Sequence, residues 1–312
     1  MLKYVLKRLG YILVTLWVIV TCTFFMMKNL PGTPFDAERF SIMTPQQQER
    51  VLEMYGLNDS LPMQYVKYIK NMLKGDLGTS FTYVNQDVSK VITGRLGPSA
   101  LIGIQAVLIG LAIGLILGIL AAWKHNSGID YFTMILAVLG VSVPNFVAAA
   151  LLQYYIGLKW GALPVGFWTG WNCSVLPSIA LSFSATAMVA RFMRTEMLDV
   201  LDQDYIVTAR AKGLSQMKVL MRHAVRNSIL PVVTILGPIV VNLMTGSLAV
   251  ENIFSMPGIG SLFVDCIKAN DYPVIMGITI FYAAFYMLIV LLVDLAYSLI
   301  DPRIRLAKGK ES

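Results

Sequence analysis

Six stretches of this chain stay apolar for about twenty residues or more, near 9–29, 99–122, 131–158, 174–193, 229–250 and 273–299. A helix needs about 20 apolar residues to cross the roughly 30 Å hydrocarbon core of a bilayer. In that core each backbone N–H and C=O must be satisfied within the protein, which leaves helices as the fold for runs of this kind. A mean hydropathy of +0.67 fits the same reading. The expected fold class is therefore all-α polytopic membrane protein with six transmembrane helices. The first run, "LGYILVTLWVIVTCTFFMM", follows Lys3, Lys7 and Arg8. It is longer than the apolar part of a secretory signal and lacks a small-residue cleavage site, so a retained anchor is expected.

Orientation follows from where Lys and Arg are kept. With the N-terminus inside, the pieces 1–8, 123–130, 194–228 and 300–312 hold 14 basic residues, while the exterior loops 159–172 and 251–272 hold only Lys159 and Lys268. Both termini are expected in the cytoplasm. Trp160, Trp168 and Trp171 cluster around one exterior loop, where amphipathic rings favour the headgroup layer. Pro144 and Pro177 lie inside or at the start of spans and are expected to kink them.

Three regions result: 1–30, a cytoplasmic stub with the first span; 31–98, an extracytoplasmic region; and 99–312, a five-helix membrane core with a cytoplasmic loop at 194–228. The extracytoplasmic region begins "PGTPF" and balances seven acidic with seven basic residues. "TPQQQERVLEMYGL" and "MQYVKYIKNML" carry apolar residues at helical spacing, so short amphipathic helices are expected there. Cys22, Cys173 and Cys266 suggest neither a disulfide nor a metal, and His125 and His223 are too isolated to build a metal site. Asn58-Asp59-Ser60 and Asn172-Cys173-Ser174 resemble glycosylation acceptors, a pattern common by chance.

The loop at 194–228 is too long and too patterned to be only a connector. Asp202 and Asp204 can begin a helix carrying Tyr205, Ile206, Ala209 and Ala211. Gly213 can end it in the left-handed conformation, followed by Leu214, and Ser215 can start a second helix that climbs into the fifth span. Two helices joined at a glycine elbow, with small residues near the tip, suit insertion into a cleft of another protein. A bulky tip would not fit closely.

This segment resembles the conserved "EAA" loop of binding-protein-dependent ABC importer permeases, in which Glu-Ala-Ala is followed after three residues by Gly. Here Val207, Thr208 and Ala209 precede Gly213. The wording "TARAKGLS" and "RHAVRNSILP" is similar to the oligopeptide and dipeptide permease branch. So are "YGLNDSLPMQYVKYIKNMLKGDLGTSF" at 55–81, "ENIFSMPGIGSLFVDCIKANDYPVIMG" at 251–277 and "DLAYSLIDPRIR" at 294–305. Gly75-Asp76-Leu77-Gly78-Thr79-Ser80 resembles an element of the branch's first, B-type permease subunit.

The resemblance implies a type I ABC importer permease fold in a bacterial or archaeal cytoplasmic membrane. It implies a second homologous permease, two cytoplasmic ATPase subunits and an extracytoplasmic substrate-binding protein as partners, and a peptide as substrate. No G-x-x-x-x-G-K-[ST] phosphate cradle occurs in the chain. No cofactor is expected on it, and ATP and Mg are expected on the partner ATPases. Asp204, Tyr205, Thr208, Ala209, Arg210, Gly213 and Leu214 are the expected ATPase-coupling residues.

Polar residues within spans are the candidate path residues: Gln105, Asn145, Gln153 and Asn242, with Asp294 nearer a span end. Hydrogen bonding that only holds the bundle together is the alternative for each. In "FSMPGIG", Pro257, Gly258 and Gly260 frame a tight turn; with Glu251 and Phe254 this loop is expected to face the binding protein, or to be an ordinary return to the membrane. A nickel or other small-solute importer keeps the same machinery, though His, Cys and carboxylates are scarce in the spans. A secondary transporter would need membrane carboxylates or His for coupling, and an intramembrane enzyme would need a nucleophile or metal constellation. Neither pattern is present.

Overall fold

The computed structural model describes residues 2–29, 40, 42–54, 56–83, 86–244 and 247–300, with side chains left aside at 2–6, 54 and 294–300. Among these residues the fold is helical, with one isolated bridge between Thr79 and Asp87. The chain divides into two compact units: residues 1–97 with 258–285, and residues 98–257 with those from 286 onward.

The first unit begins with α1 (Leu2–Lys28), whose apolar surface is largely exposed, as expected of a helix in contact with lipid. Two short helices follow where the spacing predicts them, α2 (Pro45–Met54) and α3 (Leu61–Met72). Thr21 Oγ1 and the Tyr65 hydroxyl lie 2.7 Å apart, and Phe24 packs edge-on to Tyr65, so α3 is seated on α1. The unit's core joins Val88, Val91 and Ile92 to Ile259, Leu262, Cys266, Val274, Ile275 and Ile278. Gly277 is required there, because a Cβ at that position would stand 2.5 Å from Val88 Cγ1.

A buried carboxylate pins residues 80–82 of this unit. Asp271 is fully buried and accepts hydrogen bonds from Ser80 Oγ at 2.5 Å and from the amides of Phe81 and Thr82 at 3.2 and 3.0 Å. A carboxylate buried this deeply is tolerated because its lone pairs are satisfied.

The second unit is built around α7 (Val175–Leu201), the span with the largest buried share. The 36-residue α4 (Val88–Trp123) begins well before the apolar run that marks its span and crosses from one unit into the other. Its Gly110, Gly114 and Gly118 meet α7 so closely that a Cβ at Gly118 would lie 2.6 Å from the Ala190 carbonyl oxygen. Helices in lipid gain stability by such close approach rather than by a hydrophobic effect between them.

The third expected span is broken. α5 (Gly128–Ser142) and α6 (Asn145–Leu152), the latter continued by a π-helical turn over Gln153–Lys159, meet at 101°. Val143 is extended and Pro144 precedes α6, because proline disfavours helical backbone at the residue before it and lacks the N–H the helix needs. Among the described residues, five helices are long and apolar enough to cross a membrane, or six if this bent pair counts as one span. Pro177 behaves differently: it sits in the first turn of α7, where its missing N–H costs nothing.

The chain continues through α8 (Asp204–Ala211), a single turn at Gln216–Lys218, a π-helical segment over Val219–Val225, α9 (Arg226–Met244) and α10 (Leu248–Ile253). α11 (Ile259–Lys268) and α12 (Tyr272–Ile300) complete it. The "PGTPF" stretch and the end of "DLAYSLIDPRIR" lie outside the described residues, as does the Asp294 side chain.

Candidate coupling site and path residues

α8 is one-sided. Ile206 and Ala209 turn inward and pack with Val219 against Val200 and Leu201 at the end of α7. Burying Ile206 completely contributes about 1.5–3 kcal/mol, enough to hold an eight-residue helix that would not persist alone. The other face, Asp204, Tyr205, Val207, Thr208 and Arg210, is exposed. Ala209, one of the expected coupling residues, is thus part of the packing that holds the helix.

The elbow is closed by backbone bonds. Gly213 N donates to the Arg210 carbonyl at 2.9 Å and Leu214 N to the Ala209 carbonyl at 3.4 Å, with Gly213 at φ +78°. That left-handed conformation is natural for glycine and costs other residues about 1–2 kcal/mol. Nothing lies within 4 Å of where a Gly213 Cβ would stand, so its requirement is conformational and not steric. Gln203 takes the N-cap position of α8, Asp204 lies in its first turn, and Ser215 precedes the next turn without a side-chain cap.

Two contacts carry α8 into the membrane helices. Asn227 Nδ2 donates to the Tyr205 hydroxyl at 3.0 Å, joining α8 to α9. Ser228 Oγ donates to the Glu196 carbonyl at 3.1 Å, joining α9 to α7. A third clamp was not legible as a pair in the sequence. Arg194 on α7 donates from Nε to Asp130 Oδ1 at 2.6 Å and from Nη2 to Asp130 Oδ2 at 2.8 Å. Asn126 N also donates to Oδ2, and His125 Nδ1 lies 3.2 Å from both side chains. Asp130, on α5, is buried, and the bidentate geometry is the strong form of such a pair. The only sequence sign was an acid and a base at two span ends assigned to the same side.

The path candidates separate. Gln105 Oε1 accepts from Ser174 Oγ and Ser178 Oγ, both at 2.8 Å. Gln153 Nε2 donates to the carbonyls of Val165 and Ile253 at 2.6 and 2.7 Å. Both therefore tie elements of the bundle together. Asn145 is half-buried just after the break at Pro144, and Asn242 is exposed on α9.

The expected exterior loop also folds inward in part. Glu251 is 2% exposed and accepts from Ser99 Oγ at 2.7 Å. Phe254 is fully buried, with its carbonyl accepting from Phe167 N at 2.8 Å. Gly258 is buried and extended, and Pro257 is half-buried. The four do not present one continuous accessible surface.

Residues 1–96 and 114–306 match two parts of one family, described as the N-terminal membrane component and the inner membrane component of binding-protein-dependent transport systems. The chain is 46% identical to the dipeptide transport system permease protein DppB of Lactococcus lactis subsp. cremoris, over 98% of this chain and all of that protein. It is 43% identical to DppB of Bacillus subtilis, covering 99% of each. The oligopeptide transport system permease protein OppB of Haemophilus influenzae is 39% identical over 98% of this chain and all of the relative. Among solved structures, the MetNI methionine ABC transporter is similar with a TM-score of 0.54 at 14% identity, covering 68% of this chain and 96% of that one. An amino acid ABC transporter matches at a TM-score of 0.51 and 19% identity, covering 69% and 94%.

Proposed function

The chain belongs to the family of binding-protein-dependent transport system inner membrane components, and from that premise we propose that it forms half of the translocation path of an ATP-driven importer of di- and oligopeptides. It is a multi-pass, non-catalytic permease subunit. The observation that carries the peptide reading is 39–46% identity, over 98–99% of this chain, to dipeptide and oligopeptide permeases. A second permease completes the path, two cytoplasmic ATPases hold ATP and Mg, and an extracytoplasmic binding protein delivers the peptide. The distribution of Lys and Arg supports cytoplasmic termini and a cytoplasmic α8, and the family supports a bacterial or archaeal cytoplasmic membrane.

α8 acts as a handle. An ATPase cleft closes on its exposed face, Asp204, Tyr205, Thr208 and Arg210, with Gly213 and Leu214 forming the elbow beside it. Because Ile206 and Ala209 are packed on Val200 and Leu201, a pull on α8 reaches the end of α7. The Tyr205–Asn227 bond passes it to α9, and the Arg194–Asp130 pair passes it from α7 to α5. ATP binding on a partner then biases the membrane helices between inward- and outward-open states. Reversing a 1:99 population needs about 5.5 kcal/mol of differential binding, within reach of ATP-driven closure.

The test is uptake of a labelled tri- to pentapeptide into proteoliposomes holding this chain, its partner permease, the ATPases and the binding protein. Accumulation only with ATP on the ATPase side is expected. Accumulation of nickel but not peptide would overturn the substrate, and ATP-independent uptake would overturn the mechanism.

A further inference from the structure

Where the coupling segment turns into α9, an open cleft of about 540 Å³ is lined by Arg222, His223, Arg226, Asn227, Ile229 and Leu230, from the π-helical segment Val219–Val225 and the first turns of α9. Arg222 and Arg226 are exposed, and neither forms an ion pair among the described residues. Among the described residues, no carboxylate lines the cleft. Arg222, in the π-helical segment, and Arg226, at the start of α9, both line the cleft, and residues four apart share a helix face. Asn227 is held in place by its bond to Tyr205. Immediately toward the span, the lining changes to Ile229 and Leu230.

We propose that this cleft binds the phosphate of an anionic phospholipid. Two guanidinium groups offer the planar, multiple-donor recognition that a phosphodiester favours, and His223 and Asn227 add polar partners. Ile229 and Leu230, on the side toward the apolar span, offer an apolar wall to the acyl chains. Basic pockets at the cytoplasmic edge of membrane helices take anionic headgroups for these reasons. The site joins α9 to the segment that follows the elbow, so an occupying lipid braces the base of the handle.

The test uses the assembled transporter, with partner permease and ATPases, in nanodiscs of phosphatidylcholine mixed with phosphatidylglycerol. Retained lipid is read by native mass spectrometry. Wild type should prefer phosphatidylglycerol, and the double variant R222Q/R226Q should lose that preference by about thirty-fold, the change expected of two arginines near an anionic surface. Lys70→Gln, on exposed α3, should leave it unchanged. Equal preference in wild type and double variant would overturn the site. So would displacement of the lipid by inorganic phosphate or by free peptide, or loss of the ATPases from the double variant, since each assigns the arginines to another partner. If the double variant does not fold in the membrane, a photoreactive phosphatidylglycerol on the wild-type complex must label the 219–230 peptide, and labelling elsewhere only contradicts the proposal.

Discussion

The Tyr205 hydroxyl accepts a hydrogen bond from Asn227 Nδ2 at 3.0 Å, so the exposed helix α8 and the membrane helix α9 are joined by a side-chain bond across 22 residues of sequence. Tyr205→Phe keeps the ring and removes this acceptor. A bond of this kind contributes about 1 kcal/mol. Peptide uptake per bound ATPase should fall about fivefold, measured by uptake and co-purification on the same preparation.

Gly213 separates conformation from bulk. Its backbone is at φ +78° and its surroundings are empty, so Gly213→Val should be penalised by backbone strain alone, about 1–2 kcal/mol. Asn enters the left-handed region more readily than other residues. ATPase co-purification should therefore drop in Gly213→Val and be largely kept in Gly213→Asn. Equal loss in both would mean that bulk at the elbow matters and strain does not.

The Arg194–Asp130 pair predicts a non-additive result. Arg194→Met leaves a buried carboxylate without its main partner, which costs about 3–5 kcal/mol. The double variant Asp130→Asn with Arg194→Met removes the charge as well and should recover much of that loss. Thermal unfolding of the detergent-solubilised complex reads both. A double variant less stable than Arg194→Met would contradict the role given to Asp130.

Cys266 is buried, and its thiol is pushed up to about 12 by burial, with Asp271 and Asp265 acting in the same direction and Arg95 against it. A thiol raised from 9.0 to that value stays protonated at neutral pH and is a poor nucleophile. With Cys22 and Cys173 replaced by Ser, maleimide at pH 7 should leave native Cys266 unmodified and label it fully after denaturation. Rapid native labelling would show that this core opens.

Asp271 itself should be sensitive. Asp271→Asn weakens the acceptor of Ser80 Oγ and of the amides of Phe81 and Thr82, at about 1–3 kcal/mol. Limited proteolysis near residues 80–83 should quicken relative to wild type, with cleavage elsewhere unchanged.

The spans were legible because twenty apolar residues in a row have few alternatives, and the elbow was legible because Gly213 is one of the residues that readily turns left-handed. The 101° break was only half legible: Pro144 signalled a kink, but its angle is set by packing of α5 and α6 on α7. Gln105 and Gln153 showed polarity without direction, since only the fold reveals that Ser174, Ser178 and the carbonyls of Val165 and Ile253 are their partners. Glu251 and Phe254 sit in a stretch rich in turn signals, yet their side chains are buried. Pairs such as Arg194 with Asp130 and Ser80 with Asp271 join residues 64 and 191 positions apart, a separation at which local pattern carries no information.

The most direct measurement is cross-linking from the exposed face of α8. With the natural cysteines of this chain replaced, Thr208→Cys in the assembled, transport-active complex is treated with a short bifunctional maleimide, alongside Lys70→Cys on α3 as control. An adduct between residue 208 and an ATPase subunit is expected, and none from residue 70. An active complex in which residue 208 forms no ATPase adduct, or forms one only with the binding protein, would contradict the role of α8 as a handle.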